Sequence, residues 1–250
     1  MQISRWSWLR ILLGGAVLFV LLERALLATS DILYLPSILL IGAFTVPVAF
    51  IALLYSRAKV PDVPWSTLGW CFLWGGVVGT VLAGRLEYET LKHLGTLPTI
   101  AIGVSEELAK IVVPLYLLWR WRYKSVFDGL IIGAATGAGF AALESMGYGL
   151  VALIASGGNI NAAVETLLFR GLMAPAAHIA WTSLLCGALW YAKSHYGFKA
   201  RRQLTNTLVG VILLHAIWDS VTSTAVLIAL GSVSLLWLLL RVRQAERQGL

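Results

Sequence analysis

The chain has 250 residues, 59% of them hydrophobic and only 12% charged, with a mean hydropathy of +0.82. So little polar surface excludes an ordinary soluble globule and a separate soluble domain, and points to an all-α polytopic membrane protein. The net charge is +7, but the Lys and Arg residues fall in short segments between apolar runs, a pattern of topology signals and not of a nucleic-acid footprint, so no nucleic-acid partner is expected.

Windows of about 20 apolar residues predict eight spans near 8–28, 33–55, 67–86, 98–119, 127–154, 166–191, 203–221 and 223–240. Residues 1–28 partly resemble a signal peptide, but Glu23 and Arg24 precede the would-be cleavage site, which favours an uncleaved first span. Every second connection is basic: Arg5 and Arg10, then Arg57 and Lys59, then Arg120, Arg122 and Lys124, then Lys193, Lys199, Arg201 and Arg202, then Arg241, Arg243 and Arg247. The positive-inside rule then puts both termini in the cytoplasm of a multi-pass cell-membrane protein. Trp6, Trp8, Trp65, Trp119, Trp121, Trp190, Tyr191 and Trp237 fall at the same ends, where aromatic rings favour the headgroup layer. Gly75 and Gly79 in the third span, and Gly129, Gly133, Gly137 and Gly139 in the fifth, offer flat faces for close helix packing. Pro175 either kinks or starts the sixth span. Cys71 and Cys186 lie in apolar runs without metal-type spacing and are expected to be packing residues.

The fourth span organises the rest, because Glu106, Glu107 and Lys110 sit inside a run long enough to cross a bilayer. Charges at that depth cost a few kcal/mol or more and must face protein or water, so they mark a functional site. Both carboxylates are within one helical turn of the Lys110 ammonium, which is expected to keep a neighbouring glutamate ionised. Glu144, His178, His215 and Asp219 are the other ionisable groups in the spans, and His215 and Asp219 share a helix face. From the helical rise, Glu106 and Glu107 lie roughly 12–14 Å below the outer membrane face, His215 about 9–12 Å, Glu144 and His178 about 10–18 Å, and Asp219 is shallower. Four antiparallel helices thus bring these groups to one layer in the outer half of the membrane, where glutamate can deprotonate water and histidine can stabilise an oxyanion.

These residues also carry a resemblance. Glu106-Glu107-x-x-Lys110, Phe140-x-x-x-Glu144, His178 and His215-x-x-x-Asp219, in that order on four successive spans, resemble the motif series of the PrsW family of intramembrane proteases, within the CAAX-protease and bacteriocin-processing superfamily. The resemblance covers about 98–221, the expected catalytic core of a single membrane domain spanning 1–250. It implies an endopeptidase with Glu106, Glu107, His178 and His215 at its centre, either glutamate being the base. Lys110, Phe140, Glu144 and Asp219 are then supporting residues, and the substrate is a single-span, anti-sigma-factor-like membrane protein cut on the extracytoplasmic side. Its mechanism would be metal-free, although two histidines with a glutamate also make a His₂Glu zinc set, so the cofactor stays open.

Other protease chemistries lack their motifs. There is no His-Glu-x-x-His for a site-2-type zinc protease and no Gly-x-Ser-Gly for a rhomboid-like dyad. Asp128 and Asp219, the two aspartates of a presenilin-like pair, are separated by roughly 20 Å or more in depth. A proton-coupled secondary transporter and a non-catalytic scaffold of the same fold are the alternatives, the first weakened by the lack of an inverted repeat. The sequence leaves the oligomeric state undetermined.

Overall fold

The computed structural model describes residues 4–57, 62–120 and 122–248, among which there are helices and turns and no strand. Lys59 and Trp121, two of the expected topology signals, lie outside the described residues. The helices are α1 (Ser7–Thr29), α2 (Leu35–Arg57), α3 (Trp65–Leu94), α4 (Thr99–Lys110), α5 (Val112–Arg120), α6 (Val126–Ala155), α7 (Ile160–Met173), α8 (His178–Ser194), α9 (Phe198–Ser220) and α10 (Thr224–Gln248), with short 3₁₀ turns before α2 and α8. Among the described residues, six stretches are long and apolar enough to cross a membrane, α7 and α8 counting as one. The protein is therefore an all-α polytopic membrane protein. The two remaining expected spans are helical as well, but α4–α5 is interrupted and carries Glu106, Glu107 and Lys110, and α9 carries Lys199, Arg201, Arg202 and Asp219.

The centre of the bundle is α6, buried on nearly all sides and packed chiefly against α8 and α3. Its small residues make this possible: a Cβ on Gly137 would come 2.5 Å from the His178 carbonyl oxygen, and one on Gly139 would run into the Phe72 carbonyl. The start of α6 is fixed by a capping box, in which Ser125 Oγ accepts from the Asp128 N–H at 2.9 Å and Asp128 Oδ2 accepts from the Ser125 N–H at 3.0 Å. That accounts for Asp128 without a catalytic role. Trp190 departs from the expected aromatic belt: it is fully buried and donates from Nε1 to the Tyr123 carbonyl at 2.9 Å, so it locks α8 to the α5–α6 connection. Cys71 and Cys186 are both buried free thiols.

Two helices break inside the bundle. Pro114 lacks an N–H and its ring opposes the carbonyl four residues back, that of Lys110, which is where α4 ends and α5 takes over. The second break lies between α7 and α8, a 3₁₀ turn (Ala174–Ala176) holding Pro175, followed by Ala177 at φ −121° and ψ −114°. Pro175 thus interrupts the sixth span, and His178 becomes the first residue of α8. Both breaks lie beside the ionisable residues.

Candidate active site

Lys110 projects from the last turn of α4 with no exposed side-chain surface. Its Nζ lies 3.0 Å from Glu106 Oε2, 2.9 Å from Glu107 Oε1 and 2.9 Å from His178 Nδ1, and it sits 4.3 Å above the centre of the Phe140 ring. An ammonium has donors and no acceptor, so His178 Nδ1 must accept and the ring proton resides on Nε2. That nitrogen is 2.9 Å from Glu144 Oε2, which the Arg170 guanidinium holds at 2.7 Å. On α9, His215 Nδ1 donates to Glu107 Oε1 at 2.8 Å, and its Nε2 faces two carboxylates, Glu106 Oε2 at 3.5 Å and Asp219 Oδ2 at 3.4 Å. Trp181 stacks on the His215 ring, with centroids 4.8 Å apart, and is itself anchored by a 2.9 Å bond from Nε1 to Ser234 Oγ on α10.

The structure therefore brings together all eight residues singled out from the sequence, Glu106, Glu107, Lys110, Phe140, Glu144, His178, His215 and Asp219. It also separates the two adjacent glutamates. Glu107 is fully buried and engaged with Lys110 and His215, whereas Glu106 lines a cavity of about 620 Å³ between α3, α4 and α6, together with Glu144 and Asp219. Arg170 and Glu87 are additions. Arg170 stands close to the outer end of the predicted sixth span, where a basic residue looks like a snorkelling one. Glu87, on the same cavity wall, lay one residue past the predicted end of the third span, but α3 runs on to Leu94.

Among the described residues, Glu106 Oε2, Glu107 Oε2 and Glu144 Oε2 are buried oxygens without a well-formed hydrogen bond, and the first of them faces the cavity. Glu106 Oε2 has Lys110 as its ion-pair partner. It faces His215 Nε2, whose lone pair, if the ring is neutral, would point at two carboxylates. A cation fits there in type and spacing: ligand atoms of Glu106, His178 and His215 lie within 4.8 Å of one another. The far nitrogen of each imidazole meets a carboxylate, Glu144 for His178 and Glu107 for His215, as metal-ligating histidines usually require. The Lys110 ammonium meanwhile contacts His178 Nδ1, so ligation through that nitrogen needs Lys110 to give up this contact.

Fold and cluster together define a class, polytopic membrane proteins that keep a carboxylate–imidazole centre inside a helical bundle. The family follows from the sequence match: residues 63–242, well over half of the chain, match the PrsW family intramembrane metalloprotease model, and the chain belongs to that family. The match is wider than the 98–221 stretch that carries the resemblance, and takes in α3 and most of α10. No curated protein and no solved structure matches the chain.

Proposed function

We propose that this intramembrane protease hydrolyses a single-span, anti-sigma-factor-like membrane protein, with Glu106, His178 and His215 as the water-activating centre. The observation that carries the proposal is the convergence of these three residues, from three different helices, with Glu106 on the wall of the cavity. A divalent cation such as zinc would be held by Glu106, His178 and His215, and would supply Lewis acidity to a water and to the scissile carbonyl. Charge supports it: four carboxylates, Glu106, Glu107, Glu144 and Asp219, face two fixed cations, Lys110 and Arg170, so the cluster is two positive charges short if both imidazoles are neutral.

The chain's own groups have separate tasks. Glu107 and Glu144 are positioning residues that fix the tautomers and directions of His215 and His178, and Arg170 fixes Glu144. Asp219, on the cavity wall beside His215 Nε2, takes the proton released by water and returns it to the leaving amine. The substrate enters as an unwound segment, since a peptide bond within a helix has its backbone groups already paired. The Lys/Arg asymmetry supports cytoplasmic termini and a site that opens to the extracytoplasmic side.

The test is cleavage of a single-span substrate by detergent-purified protein. Glu106→Gln, which removes a ligand carboxylate, should lower the rate by at least about 100-fold, and Asp219→Asn, which removes the proton carrier, by roughly 10²–10⁴-fold, both without loss of the fold. Activity lost to a strong chelator and restored by zinc supports the metal centre, and chelator-resistant activity would overturn it. A folded Glu106→Gln variant of parental activity would overturn the assignment of the centre.

A further inference from the structure

At the opposite end of the bundle, among the basic connections, α8, α9 and α10 enclose a second cavity of about 270 Å³ that plays no part in the proposed chemistry. Its lining changes along the helix axes. Lys199, Gln203 and Thr207 stand at four-residue intervals and so descend one face of α9 over roughly 12 Å. Arg241 and Gln244 of α10 face them across the opening, together with Tyr191 and His195 at the end of α8. The far side is apolar, built from Val126 and Leu130 of α6 and Leu184 and Ala188 of α8. Two permanent cations therefore meet in one pocket, and among the described residues no carboxylate lines it.

The rim is also organised. Arg241 Nη1 donates to Gln244 Oε1 at 3.0 Å, and the His195 ring stacks on Tyr191 with centroids 4.3 Å apart. The first turn of α9, which opens the pocket at Lys199, has no side-chain cap, and helix N-terminal N–H groups favour anions. Tyr196 and Phe198, 96% and 79% exposed, flank this turn as residues of a membrane–water interface do. A basic mouth leading to an apolar floor, at the boundary of the bilayer, matches an amphiphile whose charged end is an anion. The volume is too small for a drug-sized ligand but adequate for a headgroup.

We propose that this pocket binds the phosphate group of an anionic phospholipid, with Lys199 and Arg241 on the phosphate, Gln203 and Gln244 on its polar substituents, and the start of an acyl chain against Leu130 and Leu184. The proposal is independent of the catalytic one, because no residue is shared. Removing a surface cation from such a contact weakens anionic-lipid binding by about fivefold, so the two together should weaken it by well over tenfold.

The full chain is reconstituted in vesicles of phosphatidylglycerol and phosphatidylcholine, extracted in mild detergent, and its retained lipids are counted by native mass spectrometry. The parent should retain phosphatidylglycerol in preference to phosphatidylcholine. Lys199→Gln with Arg241→Gln should lose the preference, and so should Gln203→Glu, which adds a repelling charge at a half-buried position. Arg201→Gln with Arg202→Gln, two cations of the same segment outside the pocket, should keep it. Incubation with millimolar glycerol 3-phosphate or inorganic phosphate separates the sources: a parent that retains the soluble phosphate and no phosphatidylglycerol assigns the pocket to a soluble ligand and refutes the lipid. Unchanged retention in both pocket variants, or equal loss in the Arg201/Arg202 pair, overturns the site.

Discussion

Replacing Lys110 with methionine keeps an unbranched side chain but removes the ammonium from between Glu106, Glu107 and His178 and from above the Phe140 ring. In the parent that charge is fully buried and within 3.0 Å of both carboxylates. Deleting one partner of a buried ion pair leaves the other uncompensated, at about 3–5 kcal/mol. For a chain of this size each kcal/mol corresponds to roughly 2–4 °C, so the midpoint should fall by about 6–20 °C. The cost arises from stranded negative charge and not from lost packing, which gives the prediction a second arm. Lys110→Met combined with Glu107→Gln should recover more than half of the lost stability, a strongly non-additive cycle. The ammonium also competes for His178 Nδ1, so Lys110→Met should bind zinc at least about tenfold more tightly, and added zinc should raise its midpoint more than the parent's. Thermal unfolding of the detergent-purified proteins, with and without zinc, measures both arms. A single variant within about 1 kcal/mol of the parent, or a double variant less stable than the single, would refute the electrostatic reasoning.

Other substitutions test other links. Arg170→Gln releases Glu144 and, through it, His178, and should weaken zinc binding by roughly 10–100-fold with little change in fold; unchanged affinity would remove Arg170 from the site. Gly139→Ala places a methyl against the Phe72 carbonyl and should destabilise the α3–α6 contact by about 1–3 kcal/mol, seen as a lower midpoint, whereas Gly147→Ala, which meets nothing within 4 Å, should not. Single cysteines placed at 156–161 should react with an impermeant reagent in intact cells, and those at 122–125 should not; the reverse pattern would invert the proposed orientation.

Much of the site was legible in the sequence because a bilayer makes polar residues conspicuous. Glu106, Glu107, Lys110, Glu144, His178, His215 and Asp219 each stand out against an apolar background, and helical rise alone placed Glu106, Glu107, Glu144, His178 and His215 at similar depths. The small residues of α3 and α6 were equally legible as packing faces. What escaped was whatever depends on helix ends. Arg170 and Glu87 lie near predicted span limits, where a charge needs no explanation, and only the true extents of α3 and α7 carry Glu87 to the cavity wall and Arg170 to Glu144. The division of labour between Glu106 and Glu107 was likewise out of reach: residues adjacent in sequence differ by about 100° around a helix, and which one meets a cavity depends on how α4 rotates against α9.

The two broken helices show why the site lies where it does. A continuous helix satisfies its own backbone and holds successive side chains 100° apart, so it presents few groups to one point. Ending α4 at Lys110 lets the ammonium close over the carboxylates of its own last turn. Ending α7 and the 3₁₀ turn at Ala176 makes His178 the first residue of α8, so its ring is placed by the start of a helix and clamped by Glu144 of α6. The freed backbone groups would be costly against lipid and are tolerated only where protein or water meets them. Proline marks both breaks, Pro114 four residues after Lys110 and Pro175 three residues before His178. If the breaks serve the site, Pro114→Ala should let α4 and α5 merge, straighten the helix and shift Lys110 relative to His178, lowering protease activity and zinc affinity while stability holds or rises. Parental activity and affinity in a folded Pro114→Ala protein would mean that the interruption of α4 is a packing detail with no part in positioning the cluster.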